Sequence, residues 1–438
     1  MKKTILIIIC LVSLSFVSHS QNVHISDVNF KKYLIENKKI NTNGDKEIQV
    51  KEAISYIGKI DCSSRLITDL TGIETFIKLT ELNCSKNLLK SLDVSKNTEL
   101  MVLNCSSNQI TSLNVSKNKL LLELNCSYNL LTSLDVSKNT KLIKLLCQYN
   151  VHHLNNLDVT KNTELEVLNC SVNRFTNLDV SNNIFLKELV CFGNRLYFLD
   201  VSKNKTLEVL NCGENSLKNL DISNNKYLIE LRCDNNELSF LEISNNKILE
   251  VLACQSNLLD SLDVSKNIGL KEFKCDRNKL KNLDINQNVA LKELYCTKNQ
   301  LTTLIVSNNV SLSIVFCDQN MLSELDFSKN INLKILNCSS NSLIYLDLSK
   351  NSLLYNLICF NNQLKSLDFS KNKNLTTLEC GINQLTSLNI KNGNNSNLLF
   401  FGFSSNYNLE CIQVDDVDYA KRRWGVFEKK VYFSENCY

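Results

Sequence analysis

The sequence contains no proline and only ten glycines among its 438 residues. Both residue types mark turns, linkers and stalks, so their scarcity argues against flexibly joined domains. Histidine is also rare, with four residues, and none of them is paired with a nucleophile in a recognisable arrangement. Phosphate-binding, dinucleotide-binding and zinc-binding spacings are absent. The sequence therefore predicts a protein that is not an enzyme.

No long hydrophobic run follows the first twenty residues. The apolar run at 5–17 comes after Lys2 and Lys3 and before a small-residue segment, as in a secretory signal peptide. That run is too short to span a bilayer as a helix. We therefore expect residues 1–20 to be a signal peptide, no integral membrane segment, and export to the periplasm, the cell surface or the medium.

Excess charge of one sign is also missing. Without Lys2 and Lys3 the chain has 47 basic and 45 acidic residues, a net charge of +2. This balance gives no general attraction to nucleic acid or to anionic membranes. Hydrophobic residues make up 43% of the chain, which is ample for a core. The composition predicts one continuous folded body, and we expect a monomer that does not bind nucleic acid.

The sequence does contain a repeat that is marked by cysteine. From Cys84 onward a cysteine recurs at a period of 21 residues as far as Cys380, with two extra residues inserted around His152. Between about Ile60 and Asn406 the chain follows the pattern L-x-x-L-x-C-x-x-N-x-L-x-x-L-D-V-S-x-N-x-x. Internal repetition at this period is the signature of a solenoid.

The pattern also predicts which side chains point inward. Leu82 and Cys84 alternate with Asn83, so the first two should be buried and the third should face solvent. The asparagine after each strand, such as Asn87, should turn the chain and bond the backbone of the neighbouring coil. The second half of each repeat resembles the first, which predicts short strands or turns on the opposite face.

These repeats resemble the leucine-rich repeats of bacterial extracellular proteins, specifically the 21-residue class to which the internalins are related. The resemblance implies a leucine-rich repeat solenoid with a parallel β-sheet on one face, used in most members as an interaction or adhesion surface. We assign residues 21–58 to an N-terminal cap, 59–406 to the solenoid and 407–438 to a C-terminal cap. The cap of a solenoid covers the apolar end of its last coil.

The repeated cysteines present a choice between thiols and disulfides. A free thiol packs as a small hydrophobe, and parallel strands hold neighbouring Cβ atoms ~4.8 Å apart, beyond the ~3.8 Å mean of disulfides. We therefore predict sixteen stacked free thiols, from Cys62 to Cys380, rather than disulfides or a row of metal ions. Outside this ladder, Cys411 and Cys437 should form a disulfide that closes the C-terminal cap.

The two ends carry further predictions. Near the N-terminus, apolar residues at helical spacing (Phe30, Tyr33, Leu34) predict a capping helix. Near the C-terminus, Trp424 and Tyr432 are expected to cover the last coil.

The segment 41–52 resembles the calcium loop of an EF-hand, although Lys46 replaces the usual glycine. It is interpreted either as a polar turn or as a weak calcium site. The candidate ligands are Asn41, Asn43, Asp45, Glu47 and Glu52.

An acidic residue recurs in the second half of the repeats, for example at Asp93 and Asp135. Lysine usually follows three residues later, which favours a solvated face with local neutralisation over a row of carboxylates bridged by cations.

The outward positions around the cysteines are uniform in the first repeats and diverge in the middle of the chain. We predict that the divergent residues form a binding face, because aromatic and charged residues on a rigid sheet supply the core and rim of an interface. They are Phe192, Arg232, Asp234, Lys274, Asp276, Arg277, Tyr295, Phe316, Asp318, Ile358 and Phe360. A protein partner is the first hypothesis. A cell-surface glycan stacked on Tyr295, Phe316 and Phe360, or a structural envelope role through self-association, are the alternatives.

Overall fold

The computed structural model describes residues 21–150, 154–425 and 431–437. The predicted signal peptide, and the histidine pair of the two-residue insertion, lie outside these ranges. Three helices occur in the described residues: α1 (Val28–Glu36), α2 (Val50–Ser55) and α3 (Val417–Trp424), with 3-10 turns at Ile73–Thr75 and Asn395–Asn397.

The strands are short, and most contain three residues. They are β1 (Gly58–Asp61), β2 (Leu79–Asn83), β3 (Val102–Asn104), β4 (Glu123–Asn125), β5 (Lys144–Leu146), β6 (Val167–Asn169), β7 (Glu188–Val190), β8 (Val209–Asn211), β9 (Glu230–Arg232), β10 (Val251–Ala253), β11 (Glu272–Lys274), β12 (Glu293–Tyr295), β13 (Ile314–Phe316), β14 (Ile335–Asn337), β15 (Asn356–Ile358), β16 (Ser366–Asp368), β17 (Thr377–Glu379), β18 (Ser387–Asn389), β19 (Phe400–Gly402), β20 (Cys411–Gln413) and β21 (Tyr432–Ser434).

The solenoid has one main sheet and, at one end, a second smaller one. Within the described residues, β1–β15, β17 and β19 pair in parallel into the main sheet, each coil adding one strand. Strands β16, β18, β20 and β21 form a four-stranded sheet on the opposite face, whereas earlier coils have turns there. This confirms the predicted solenoid, with a parallel sheet on one face and short strands or turns on the other.

Each coil buries the same set of side chains. In the coil that begins with β3, Leu103, Cys105, Ile110, Val115 and Leu121 are all fully buried. All sixteen ladder cysteines are free and buried, which confirms the prediction of stacked thiols. Burial raises the pKa of the Cys105 thiol to about 12, so the ladder is neutral at ordinary pH.

The asparagine that follows each strand forms a ladder, here called the strand ladder. The Asn108 side chain donates from Nδ2 to the carbonyl oxygens of Cys84 and Cys105, both at 3.1 Å. Its Oδ1 accepts from the backbone N–H of Leu89 at 3.0 Å. Each such asparagine therefore bonds two coils together, as the sequence predicted.

A second column of asparagines, the turn ladder, lies in the other half of each coil. Asn118 is fully buried and donates from Nδ2 to the carbonyls of Val94 and Asn97, both at 2.9 Å. Its Oδ1 has no hydrogen-bond partner, and the same is true of the thirteen equivalent asparagines in the described residues, from Asn97 to Asn372. The amide oxygens of the strand ladder therefore have hydrogen-bond partners and those of the turn ladder do not, so the two ladders should contribute differently to stability.

The residue before each strand-ladder asparagine has a left-handed backbone. Its φ lies between +47° and +66° in every coil from Lys86 to Ser405, and only Gly193 in this column is a glycine. The β-branched residues Val172 (φ +50°) and Ile382 (φ +52°) are the most strained members of the column. Stacking of identical coils therefore imposes a conformation that most of these residues do not prefer alone.

The acidic column in the second half of the coils has a local structural role. Asp93 and Asp135 each accept, through Oδ1, the backbone N–H two residues further on, at 2.9 Å. These bonds are the largest cause of the lowered pKa of both carboxyl groups. The column consists of turn-forming carboxylates that remain ionised at neutral pH.

The N-terminal cap is formed by α1 and α2. Asp27 caps α1 by accepting the N–H groups of Asn29 and Phe30, both at 2.9 Å. Phe30 and Leu34 are fully buried against the first coil. The Tyr33 hydroxyl oxygen accepts the N–H of Asp61, at 3.0 Å, on the edge strand β1. The helix predicted from the apolar spacing is therefore confirmed.

The C-terminal cap is held by a disulfide between Cys411 and Cys437, whose Cα atoms lie 5.9 Å apart. This confirms the predicted bond. Trp424 is buried at the end of α3 and packs edge-on against Phe401 of β19, with ring centroids 5.1 Å apart. The expectation for Tyr432 was wrong, since its side chain is 54% exposed. The next residue, Phe433, points inward instead, because alternate strand residues face opposite sides.

Candidate functional site

The outer face of the main sheet has a simple construction. In β12 the central residue Leu294 is buried, while Glu293 and Tyr295 on either side point outward. The strands are in register, so equivalent residues of successive coils form continuous columns about 4.8 Å apart. Substitutions along one column therefore become spatial neighbours on a rigid surface.

Three of the predicted binding residues are brought together in one such column. Lys274, Tyr295 and Phe316 are register partners in β11, β12 and β13. The rings of Tyr295 and Phe316 are stacked, with centroids 5.3 Å apart and planes inclined by 13°. The ammonium of Lys274 lies 5.1 Å from the centroid of the Tyr295 ring, a cation–π distance. We call these three residues, with Glu272 and Glu293, the aromatic–charge cluster.

Ion pairs and hydrogen bonds fix the polar ends of the cluster. Lys274 Nζ lies 2.6 Å from Glu272 Oε1, and the Tyr295 hydroxyl donates to Glu293 Oε2 at 3.0 Å. Partial burial, followed by the bond to Glu293, raises the pKa of Tyr295 to about 12. The tyrosine therefore stays protonated at physiological pH, and its ring is held in one orientation.

Two of the predicted carboxylates lie beside the cluster and share one neighbour. Thr297 donates its N–H to Asp276 Oδ1 at 2.9 Å and its hydroxyl to Asp318 Oδ1 at 2.7 Å. Burial raises the pKa of Asp276, although the bond from the Thr297 N–H opposes this effect. The expectation that Asp318 faces solvent was wrong, because only 6% of it is exposed. The threonine of the preceding coil covers it.

The other predicted residues are more dispersed. Arg232 pairs within its own strand, with Nε 2.5 Å from Glu230 Oε1. Ile358 lies in the same column as Phe316 but is separated from it by Asn337. Phe192 and Phe360 follow the ladder cysteines in the coils of β7 and β15 and lie outside the cluster. Phe192, Asp234, Ile358 and Phe360 are half-buried, and Arg277 is exposed.

Exposed aromatic residues also occur outside the positions that the sequence predicts as a binding face. Tyr197, Phe198 and Phe240 are 62–66% exposed in the second halves of their coils, and Tyr345 is 63% exposed. Tyr128 and Tyr149, in the left-handed column, stack at 4.4 Å with planes inclined by 10°. Comparing the second halves of the repeats in the same way as the first would have identified most of these residues.

The segment resembling a calcium loop closes on itself. Asp45 accepts the N–H of Glu47 through Oδ1 at 2.7 Å, and this bond is the largest cause of its lowered pKa. Glu52 Oε1 accepts the N–H and hydroxyl of Thr42, both at 2.8 Å, and Oε2 accepts the N–H of Gln49 at 3.0 Å. Burial opposes the ionisation of Glu52, but these bonds leave its pKa lowered.

Further contacts occupy the remaining candidate ligands. Asn41 Oδ1 accepts the N–H of Gly44 at 3.0 Å, and Asn43 Oδ1 accepts the N–H of Asp45 at 2.9 Å. The Glu47 side chain pairs with Lys31 at 2.7 Å. The left-handed residue is Gly44, φ +72°, rather than Lys46. The side-chain oxygens that calcium would need are therefore engaged by N–H and hydroxyl groups, which an ion would have to displace. Calcium binding stays a prediction.

Metal-binding clusters and membrane-spanning helices do not occur in the described residues. No group of three or more His, Cys, Asp or Glu side chains in those ranges is arranged to hold a metal ion. None of the helices described there is long and apolar enough to cross a membrane.

The parallel sheet, the ladders and the 21-residue coils define a leucine-rich repeat solenoid. No protein-family model matches the chain, and neither does any curated protein sequence. Solved structures do match. The functional domain of InlJ from Listeria monocytogenes, which includes a cysteine ladder, is 32% identical, with TM-score 0.68 over 82% of this chain and 77% of that chain.

Two further structures extend the comparison. A leucine-rich repeat protein of Leptospira interrogans is 25% identical, with TM-score 0.69 over 77% of this chain and 92% of that chain. The Arabidopsis receptor kinase HAESA, in complex with the peptide hormone IDA and the co-receptor SERK1, is 18% identical, with TM-score 0.63 over 83% of this chain and 79% of that chain. At this level of identity the likeness shows the fold alone. The chain belongs to the internalin-like leucine-rich repeat proteins.

Proposed function

We propose that this chain is an exported, non-enzymatic recognition protein that binds a protein partner through the middle of its main sheet. The aromatic–charge cluster carries the proposal. Stacked aromatic rings flanked by charged groups match the composition of binding hot spots, where a few anchors supply most of the affinity. Lys274 and Tyr295 are already held by Glu272 and Glu293, so little side-chain entropy is lost on binding.

The family and the scaffold support the same function. The internalin-like fold is an interaction scaffold, and the plant receptor of the same fold is solved with a peptide bound. The coils are stacked in register along the whole sheet, so a ligand meets a preformed surface. The partner fitting the cluster would present an apolar side chain to Phe316 and a carboxylate or hydroxyl near Lys274.

Capture of a partner, followed by affinity measurement, tests the proposal. The chain without its first twenty residues would be used to capture cell-surface and envelope proteins, in parallel with a Tyr295→Ala/Phe316→Ala variant. Loss of two anchors should weaken binding at least about 30-fold, equivalent to about 2 kcal/mol. The matched control is Tyr345→Ala, which removes an exposed tyrosine from the second half of a coil.

Each result of the capture experiment leads to a different conclusion about the binding site. Capture by the wild type and by Tyr345→Ala, with loss in the double variant, supports the cluster as the site. Equal binding by all three proteins rejects this location. Capture of no protein by the wild type rejects a protein partner.

We also propose that the Asn41–Glu52 loop binds calcium weakly, with a Kd no tighter than about 1 mM. Its engaged oxygens would first have to release their donors. Isothermal titration of the metal-free chain with calcium chloride tests this, and binding in the micromolar range would contradict it.

A further inference from the structure

A second region of the main sheet lies many coils from the aromatic–charge cluster. At β3–β5 the surface sinks into a shallow cavity of about 230 Å³. Its outward lining residues are Val102, Asn104, Glu123, Asn125, Lys144 and Leu146. We call this the β3–β5 cleft. It belongs to the uniform early repeats, in which the sequence predicts no binding site.

The two asparagines of the cleft are held in one orientation. Asn104 Oδ1 accepts the N–H of Ser106 at 3.1 Å and its hydroxyl at 2.8 Å. Asn125 Oδ1 accepts the N–H of Ser127 at 3.2 Å and its hydroxyl at 2.6 Å. Because the serine that follows the cysteine holds the amide oxygen, the amide NH₂ group is the part left available.

These NH₂ groups are free to serve a ligand. Within the part of the chain that the structure describes, neither Asn104 Nδ2 nor Asn125 Nδ2 has a protein acceptor in hydrogen-bonding distance. Asn104 and Asn125 are register partners, so their donors repeat at the ~4.8 Å strand spacing.

The surroundings define the chemistry of the ligand. Glu123 and Lys144 are register partners of opposite charge, so the cleft has no net charge and complements an uncharged ligand. Glu123 can accept from hydroxyl groups, and Lys144 can donate to ring or hydroxyl oxygens. Val102 and Leu146 supply apolar surface. The lining contains no aromatic or arginine anchor, which disfavours a protein hot spot here.

We propose that the β3–β5 cleft binds a linear, uncharged glycan with N-acetylated sugars, lying along the solenoid axis. The carbonyl oxygen of one acetamido group accepts from the NH₂ groups of both Asn104 and Asn125, and acetyl methyl groups contact Val102 and Leu146. The two donors lie one strand spacing apart, close enough for a single carbonyl oxygen to accept from both. This site is separate from the aromatic–charge cluster and does not rest on the proposed protein partner.

Isothermal titration with chitohexaose, an uncharged hexamer of N-acetylglucosamine, tests the proposal. The variant is Asn104→Asp/Asn125→Asp, which keeps the oxygen that accepts from Ser106 and Ser127 but replaces both NH₂ groups with oxygen. The matched control is Asn337→Asp in β14, where Ser339 holds the same kind of amide, with its hydroxyl 2.7 Å from Oδ1. Circular dichroism checks that all proteins are folded.

We expect the wild type and Asn337→Asp to bind equally and the double variant to bind at least about tenfold more weakly, through loss of two hydrogen bonds. Cellohexaose, which lacks the acetamido groups, should also bind at least about tenfold more weakly. Tyr295→Ala should bind as the wild type does, which separates this site from the aromatic–charge cluster. No binding by the wild type, undiminished binding by the double variant, or equal binding of cellohexaose would overturn the proposal.

Discussion

Alanine at Asn236, in the middle of the strand ladder, removes two amide N–H donors and one amide oxygen acceptor. The Nδ2 group donates to the carbonyls of Cys212 and Cys233, both at 3.1 Å, and shares a donor with the Asp234 carbonyl at 3.2 Å, while Oδ1 accepts the Leu217 N–H at 2.9 Å. The two cysteine carbonyls keep a second donor from an adjoining ladder asparagine. The Leu217 N–H, in contrast, has no other hydrogen-bond acceptor among the described residues. Three net bonds of about 1 kcal/mol each, plus a buried orphan donor, predict a loss of about 3–5 kcal/mol.

The same substitution at Asn246, in the turn ladder of the same coil, should cost much less. Its Nδ2 donates to the carbonyls of Ile222 and Asn225 at 3.2 and 2.8 Å, and both carbonyls also accept a backbone N–H. Its Oδ1 is buried without a partner, so alanine also removes an unsatisfied acceptor. The cost of the lost hydrogen bonds is largely offset by the removal of the unsatisfied acceptor. The free energy of unfolding should therefore fall by only about 0–2 kcal/mol, including the cost of the small cavity.

Urea unfolding followed by circular dichroism compares the two variants, and hydrogen exchange localises the effect. Asn236→Ala should lower the free energy of unfolding by at least about 2 kcal/mol more than Asn246→Ala, and the Leu217 amide should lose its protection. Equal losses in the two variants, or a larger loss in Asn246→Ala, would contradict the stronger contribution of the strand ladder. The two sites share a coil and a residue type, so cavity and propensity effects nearly cancel.

Three other predictions follow from the fold. Val172→Gly should stabilise the chain by about 0.5–1 kcal/mol, because the relief of left-handed backbone strain exceeds the entropy cost of glycine, and Gly193→Val should destabilise the chain. Urea unfolding midpoints of the two variants check this, and shifts of the opposite sign would contradict the presence of strain at these positions. Burial raises the pKa of the Cys105 thiol from 9.0 to about 12, so the thiol ionises at a lower pH in the unfolded chain than in the folded one. The stability that this burial contributes is present below pH 9 and should be lost as the pH rises towards about 12. A urea midpoint that stays constant over that range would contradict this. Reducing the Cys411–Cys437 disulfide should destabilise the C-terminal cap by about 3.5 kcal/mol. The single tryptophan, Trp424, is buried in this cap, so its fluorescence emission should shift to the red at a lower urea concentration when the cap opens. An emission transition that reduction leaves unchanged would contradict this destabilisation.

The repeat made most of the fold predictable. Leu103 and Cys105 could be placed inside because period-two alternation and stacking act in every coil alike. Features that depend on neighbouring coils were less accessible. Tyr128, Val172 and Arg277 share no side-chain preference for a left-handed backbone, yet each adopts one. The stacked solenoid imposes that conformation, and a single repeat does not encode it.

The candidate site was only partly predictable for a related reason. The sequence identified Lys274, Tyr295 and Phe316 as unusual outward residues, and register alone makes them neighbours. It gave no sign that Thr297 buries Asp318, because that contact depends on side-chain direction rather than on spacing. Uniform residues such as Asn104 were passed over, since only the serine bond shows which end of the amide remains available.

The most direct test of the central claim is photo-crosslinking from the proposed binding face. A photoreactive phenylalanine analogue would be placed at Tyr295, and in a separate protein at Tyr345, and each would be irradiated with the captured partner. We expect a covalent adduct from position 295 and none from position 345. Adducts from position 345 alone, or equally from both, would contradict recognition through the main sheet.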